Sequence, residues 1–182
     1  MFKAHYQWDS YFVELFDACV DEYDDGNKDF ATWFSEEDLE FLDSIGCKQR
    51  EFFDFVEDNV TSDGDGPTGT TALLIAAVRR DYFRVVQNGV PSTRIIPASS
   101  LPAKSAEAAG LVWLPRLIAK ARAKLKGELD DNTMFCCGGD RNFLSRVNIH
   151  PADFLRAVWA AGDDDQAIID YVKAQSSPTT QR

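Results

Sequence analysis

The residues with the most chemical potential stand together in Phe135-Cys136-Cys137-Gly138-Gly139-Asp140-Arg141-Asn142-Phe143-Leu144, the stretch with the only adjacent cysteines and the only Gly-Gly pair. Read locally, it is a tight loop that delivers a helix. The glycines supply unusual backbone angles, Asp140 is the cap, and Phe143-Leu144 opens the apolar face. A helix N-terminus presents N–H groups and a partial positive charge, so Cys137, Gly138, Gly139 and Asp140 form a candidate site for a small anionic ligand. Arg141 would add charge, as would Arg116 and Lys120 from an earlier helix. Cys136 and Cys137 are the candidate catalytic residues, because a thiol at a helix start beside cations favours its reactive anion. Such catalysis calls for a base, and only His5 and His150 are present, the latter directly before Pro151. The plainer reading is a small buried cysteine packed beside Phe135. Whether the protein is an enzyme is left open.

Other chemistries are poorly served. Tetrahedral zinc prefers cysteines two to four residues apart, and adjacent Cys136 and Cys137 do not suit one ion. No His-Glu-x-x-His and no nucleophile elbow occurs. A calcium loop begun at Asp21 puts Tyr23 and Thr32 where oxygen ligands are required, Glu at the last position included. Gly64 and Gly69 superficially resemble a phosphate-binding loop, but Thr70 stands where that loop needs Lys, and Asp63 and Asp65 would repel phosphate. No metal and no cofactor are therefore expected.

Composition narrows the classes further. Of 182 residues, 45% are hydrophobic and 12% aromatic, enough for a real core. Net charge is −11, and its distribution is uneven. Residues 1–70 hold 4 Lys and Arg against 19 Asp and Glu, a balance of −15 that leaves +4 for the rest. An acidic half repels phosphate backbones, so nucleic acid is not an expected partner; a basic protein is. No apolar run reaches the roughly 18 residues of a membrane span. The start lacks the apolar stretch of a secretory signal, and four cysteines without one fit reduced thiols in a cytoplasm.

The elements that must position these residues are helices. Spacing predicts Trp8–Glu22 with Asp9 or Ser10 as cap, then an aromatic connector over residues 30–34. Ser35 with Asp38 forms a capping box ahead of Leu39–Ser44, ended by Gly46. Gln49–Asp58 follows, with Phe52, Phe53, Phe55 and Val56 as its apolar face. After a Gly/Asp/Thr loop, Thr70 or Thr71 caps Ala72–Val86. Pro91, Pro97 and Pro102 make residues 90–110 a linker with a short extended piece at Arg94–Ile96. Trp113–Lys126, with Pro115 in its first turn and Gly127 at its end, buries Leu114, Leu117, Ile118, Ala121 and Leu125. Its Arg116, Lys120, Arg122, Lys124 and Lys126 make it basic. The cysteine loop then leads a helix to about Val147. Two more start at His150-Pro151 and after Asp163-Asp164-Asp165, where negative charge suits the helix dipole.

Sliding the chain on itself by 102 residues, the step from Phe41 to Phe143, aligns the halves. Leu15-Phe16 fall on Leu117-Ile118, Trp33 on Phe135, Asp38 on Asp140, Phe41-Leu42 on Phe143-Leu144 and Val56 on Val158. The expected fold class is all-α: two tandem copies of a roughly four-helix unit, packed as a pseudo-twofold pair with a cleft between them. The expected divisions are residues 1–89, an acidic and degenerate first repeat; 90–110, a linker; 111–176, the second repeat; and 177–182, a tail. Cys136, Cys137, Gly138, Gly139 and Arg141 are not echoed in the first copy, so whatever is special lies in the second.

Trp113-Leu114-Pro115-Arg116, Cys137-Gly138-Gly139-Asp140-Arg141 and Trp159-Ala160-Ala161-Gly162-Asp163-Asp164-Asp165 together resemble an uncharacterised bacterial helical family, domain of unknown function 5069. Arg79-Arg80-Asp81-Tyr82-Phe83 and Leu101-Pro102-Ala103-Lys104 extend the resemblance over most of the chain. It implies a cytoplasmic bacterial helical protein and no activity. The functional expectation is a binding protein for a small anionic ligand or a protein partner, in a cleft near Cys137, Gly138, Gly139, Arg141, Arg116 and Lys120. The alternatives are an enzyme using the thiolate of Cys136 or Cys137, and a regulatory or structural partner protein acting through its acidic half. Oligomeric state is not legible.

Overall fold

A computed structural model describes residues 6–176. Eight α-helices and one two-stranded hairpin make up its regular structure, with two short 3-10 turns. Among the described residues, no helix is long and apolar enough to cross a membrane. The chain divides into two compact units, Met1–Thr93 and Arg94–Arg182.

The first unit holds α1 (Trp8–Asp24), α2 (Glu36–Ser44), α3 (Gln49–Thr61) and α4 (Gly69–Val85). Phe12, Leu15, Phe16, Cys19 and Tyr23 recur every three or four residues along α1 and are all buried. They meet the Phe-rich face of α3: Phe52 lies 5.1 Å from Phe12 and 6.0 Å from Phe16, mostly edge to face. The 3-10 turn Phe30–Thr32 feeds Trp33 onto Phe53 at 5.1 Å. Burial of each such ring contributes about 1.5–3 kcal/mol, so this aromatic layer dominates the unit's core. Gln7 rather than Asp9 or Ser10 stands at the start of α1, with no side-chain cap. α4 is capped by Thr68, two to three residues ahead of the expected Thr70 or Thr71.

The second unit holds the hairpin β1 (Glu107–Ala108) and β2 (Leu111–Val112), then α5 (Leu114–Lys126), α6 (Gly138–Arg146), α7 (Pro151–Ala161) and α8 (Asp165–Ser176). α5 packs on α7, α7 on α8, and the hairpin on α5. Leu117, Ile118 and Ala121 of α5, Phe154, Leu155 and Val158 of α7, and Ile168 and Val172 of α8 are all buried. Residues 94–110 are part of this unit: Ile96 bridges Leu129, and Ala98 N–H donates to the Asp130 carboxylate. Gly127, at φ 71°, closes α5 in the left-handed region. Asp164 caps α8 through the Ala167 N–H, and Asp165 pairs with Arg122 at 2.6 Å. The predicted tail, residues 177–182, lies outside the described residues, as does His5.

Two turns have matching internal geometry. α2 and α6 each run nine residues, and their N-cap residues Ser35 and Cys137 have φ/ψ of −69°/169° and −63°/169°. Each helix leaves through a left-handed residue, Gly46 at φ 65° and Asn148 at φ 54°. The closing bonds also match: Cys47 N–H to Leu42 O at 2.9 Å, and Ile149 N–H to Leu144 O at 3.0 Å. The next helices begin at Gln49 and Pro151. Every one of these pairs is 102 residues apart.

Candidate functional site

The start of α6 is built around Asp140, which is fully buried. Cys137, not Asp140, is the N-cap, and Asp140 sits three residues on. Its carboxylate accepts three hydrogen bonds. Trp113 Nε1 donates to Oδ1 at 2.9 Å; Cys136 N donates to Oδ2 at 2.9 Å; Lys120 Nζ donates to Oδ2 at 2.5 Å. Lys120 is itself 2% exposed. A buried carboxylate survives away from water only when an opposite charge and further donors compensate it, and this one has both.

The Lys120 ammonium has a second acceptor, the Cys137 sulfur, at 3.2 Å. That contact explains why Cys137 makes no side-chain cap. The contrast with α2 is direct. There Ser35 Oγ accepts from Asp38 N–H at 3.2 Å, and the Asp38 carboxylate accepts from Ser35 N–H at 2.8 Å, a complete capping box. At α6, among the described residues, no protein group accepts from the N–H groups of Gly138, Gly139 or Asp140. Gly138 is exposed, and Cys137 and Gly139 are half-buried.

The glycines are not there for unusual angles. Neither Gly138 nor Gly139 has a positive φ; Cys136 does, at 74°. Gly139 is required by packing, since a Cβ there would lie 2.4 Å from the Trp113 ring. Gly138 is different: the nearest atom to a Cβ would be Arg141 Nη2, at 3.8 Å. Neither backbone nor packing asks for glycine at that position. Trp113 is also held at positive φ, 83°, which costs a bulky residue about 1–3 kcal/mol. Both strained residues donate to Asp140, so the Asp140 carboxylate is what holds them.

The basic residues expected at the site are either bonded to backbone carbonyls or buried. Arg116 Nη1 donates to Pro102 O at 2.8 Å, and Arg141 Nη1 to Cys136 O at 2.8 Å. Lys120 and Lys124, two of the residues that make α5 basic, are buried at 2% and 1% exposure. Sequence reasoning missed Trp113 as a site residue. The signal available was its position: it stands 102 residues after Tyr11, whose hydroxyl donates to Asp38 Oδ1 at 2.7 Å. Burial first, and then the Asp38 carboxylate, push the Tyr11 phenol well above its ordinary range.

The remaining cysteines differ. Cys136 is fully buried, beside the equally buried Phe135. Cys19 is core, and burial pushes its thiol up to about 12, with Asp38 and Glu22 adding to the shift. Cys47 is buried with its sulfur 3.5 Å from Glu51 Oε1. Among the described residues no group of three His, Cys, Asp or Glu is placed to hold a metal ion.

Fold and site together define a mostly helical chain whose second unit carries a buried Lys-Asp pair under a half-exposed thiol and an uncapped helix start. Residues 101–182 match the family model described as Domain of unknown function (DUF5069). The match takes in α5 to α8 and the whole cysteine loop, while Arg79–Phe83 lie outside it. No curated protein and no solved structure matches the chain.

Proposed function

We propose that the second unit binds a small anion at the N-terminus of α6, and that the two units are copies of one four-helix unit. The shared 102-residue step supports the copying. It holds for cap angles, helix bounds, exit turns and the aromatic donor to each Asp. Lys120 and the cysteines have no counterpart in the first unit, where Ala18, Phe34 and Ser35 stand. The first unit also places Glu36 and Glu37 where the second has glycines, closing its helix start to anions by charge as well as by the Ser35 cap.

One observation carries the anion reading: the cap that satisfies α2 is missing at α6, while the residue that would cover the N–H groups is an exposed glycine that packing does not demand. Free N–H groups and the helix dipole together favour an anion there. Arg141 beside Gly138 adds a nearby cation. Lys120 and Asp140 neutralise one another beneath the site and shape it rather than touch the ligand. Calorimetric titration with inorganic phosphate tests this. Wild-type protein is expected to bind; Gly138→Glu, which copies Glu36, is expected to lose binding. Equal heats from both proteins would refute the reading.

A second reading, an enzyme using the Cys137 thiolate, has its own support in the Lys120 ammonium at 3.2 Å. Cys136 has no such support, being sealed in the core. If thiol chemistry operates, alkylation of Cys137 by iodoacetamide slows at least tenfold on Lys120→Met, a variant checked for folding by circular dichroism. An unchanged rate would dismiss it.

A further inference from the structure

Lys120 and Cys137 bring an amine and a thiol into direct contact. Their reacting atoms, Nζ and Sγ, are 3.2 Å apart. The amine is buried and held from behind by Asp140 at 2.5 Å, while the sulfur's residue reaches the surface. The pair bridges α5 and the start of α6, 17 residues apart in sequence. Lysine loses most of its rotamer freedom when fixed in this way, so amine and sulfur are pre-oriented before any reaction.

We propose that this pair is an oxidation site at which one oxygen atom becomes covalently bonded to both Cys137 Sγ and Lys120 Nζ. The oxidant class is a hydroperoxide, hydrogen peroxide in the simplest case. In the first step the sulfur attacks the distal oxygen. An S–O bond forms, the O–O bond breaks, sulfur is oxidised by two electrons, and the thiol proton leaves with the released oxygen as water. The product is a sulfenic acid. In the second step the Lys120 ammonium passes a proton to the Asp140 carboxylate, freeing the nitrogen lone pair. The sulfenic oxygen then bonds to nitrogen. The two hydrogens lost, one from oxygen and one from nitrogen, and their two electrons reduce a second peroxide to two waters. Overall one thiol, one amine and two peroxides give the S–O–N link and three waters. Four electrons and four protons from a thiol reductant reverse it, returning thiol, amine and one water.

The geometry singles out this pair. Cys19, Cys47 and Cys136 are buried, and the first unit has Ala18 and Ser35 at the equivalent positions. The inference does not depend on anion binding at α6, since the oxidant comes to the sulfur and not to the N–H groups.

The test is tryptic mass spectrometry of the folded full chain after peroxide treatment. The expected product joins residues 117–122 to residues 127–141, with cleavage blocked at Lys120. Its mass is that of the two peptides plus one oxygen less two hydrogens, and dithiothreitol separates them. Cys137→Ser, which keeps Lys120 and Cys136, is expected to give no joined peptide. Three results would overturn the proposal: cleavage at Lys120 with Cys137 found only as sulfinic or sulfonic acid, a Cys136–Cys137 disulfide, or the same joined peptide persisting in Cys137→Ser.

Discussion

Asp38 and Asp140 occupy the same position three residues into a nine-residue helix, and each accepts from an aromatic side chain, Tyr11 within α1 or Trp113 at the N-cap of α5. They differ in what surrounds them. Asp38 is half-buried and completes a capping box with exposed Ser35, so its negative charge stays near water. Asp140 is sealed in, its cap partner is a cysteine facing elsewhere, and a buried lysine supplies the missing charge. The same backbone frame thus carries two electrostatic designs. One closes a helix start with a hydroxyl and a carboxylate. The other spends the carboxylate on a lysine and leaves the start open.

The largest expected effect follows from the buried pair. Lys120→Met strands a carboxylate in the core and is expected to destabilise the second unit by about 3–5 kcal/mol. Asp38→Ala, at the equivalent position, costs about 1 kcal/mol. The double variant Lys120→Met/Asp140→Leu is expected to recover much of the loss, because no buried charge is left unpaired. Urea unfolding of the single and double variants checks this; equal losses for Lys120→Met and Asp38→Ala would erase the distinction between the two designs.

The glycine pair gives the next effect. Gly139→Ala drives a methyl into the Trp113 ring and is expected to cost about 1–3 kcal/mol. Gly138→Ala meets open space and is expected to be neutral or to stabilise by up to about 1 kcal/mol. Thermal melts separate them, and a reversed order would mean that the indole does not rest on Gly139. Ser35→Ala removes a cap that Cys137 does not provide, so it is expected to cost about 1 kcal/mol, with the loss confined to the first unit.

How much of this was legible in the sequence depended on the range of the interaction involved. The Ser35–Asp38 box and Pro115 and Gly127 at the two ends of α5 are local patterns, and each stands as expected in the structure. Amphipathic spacing alone assigns charged residues such as Lys120 and Lys124 to the solvent side of a helix, yet both are buried. What reverses this for Lys120 is a partner 20 residues away, which no helical period encodes. The strained angle sits at Cys136 rather than at the glycines for the same reason: its N–H is pulled to Asp140. Thr68 took the cap of α4 because Gly69 can enter the helix against the Phe16 ring, 3.2 Å from a Cβ placed there. Strands of two residues are too short for any alternation to register.

A further expected effect is a pH dependence carried by one carboxyl of the first unit. Asp54 is pushed up to about 7, chiefly by burial, with Glu51 and Glu57 adding to the shift and Arg50 opposing it. In the unfolded chain the same carboxyl titrates near about 4. Between those values the folded state keeps a proton that the unfolded state has lost, so this group's contribution to stability falls as pH rises from about 4 to about 7 and is level above that. The position 102 residues on is Arg156, so this carboxyl has no counterpart in the second unit. Asp54→Asn is expected to flatten the slope over that window in melts of the whole chain; an unchanged slope would remove Asp54 from the account.

The most direct test is one amide-resolved NMR titration of the wild-type protein with inorganic phosphate, reading both helix starts in the same sample. The account expects saturable shifts at the amides of Gly138, Gly139 and Asp140, with Glu36, Glu37 and Asp38 unmoved. In Cys137→Ser, whose hydroxyl can cap Asp140 as Ser35 caps Asp38, the shifts are expected to weaken at least several-fold. Shifts of equal size at both starts, or none at residues 138–140, would contradict the claim that the second unit keeps an open anion site where the first has closed it.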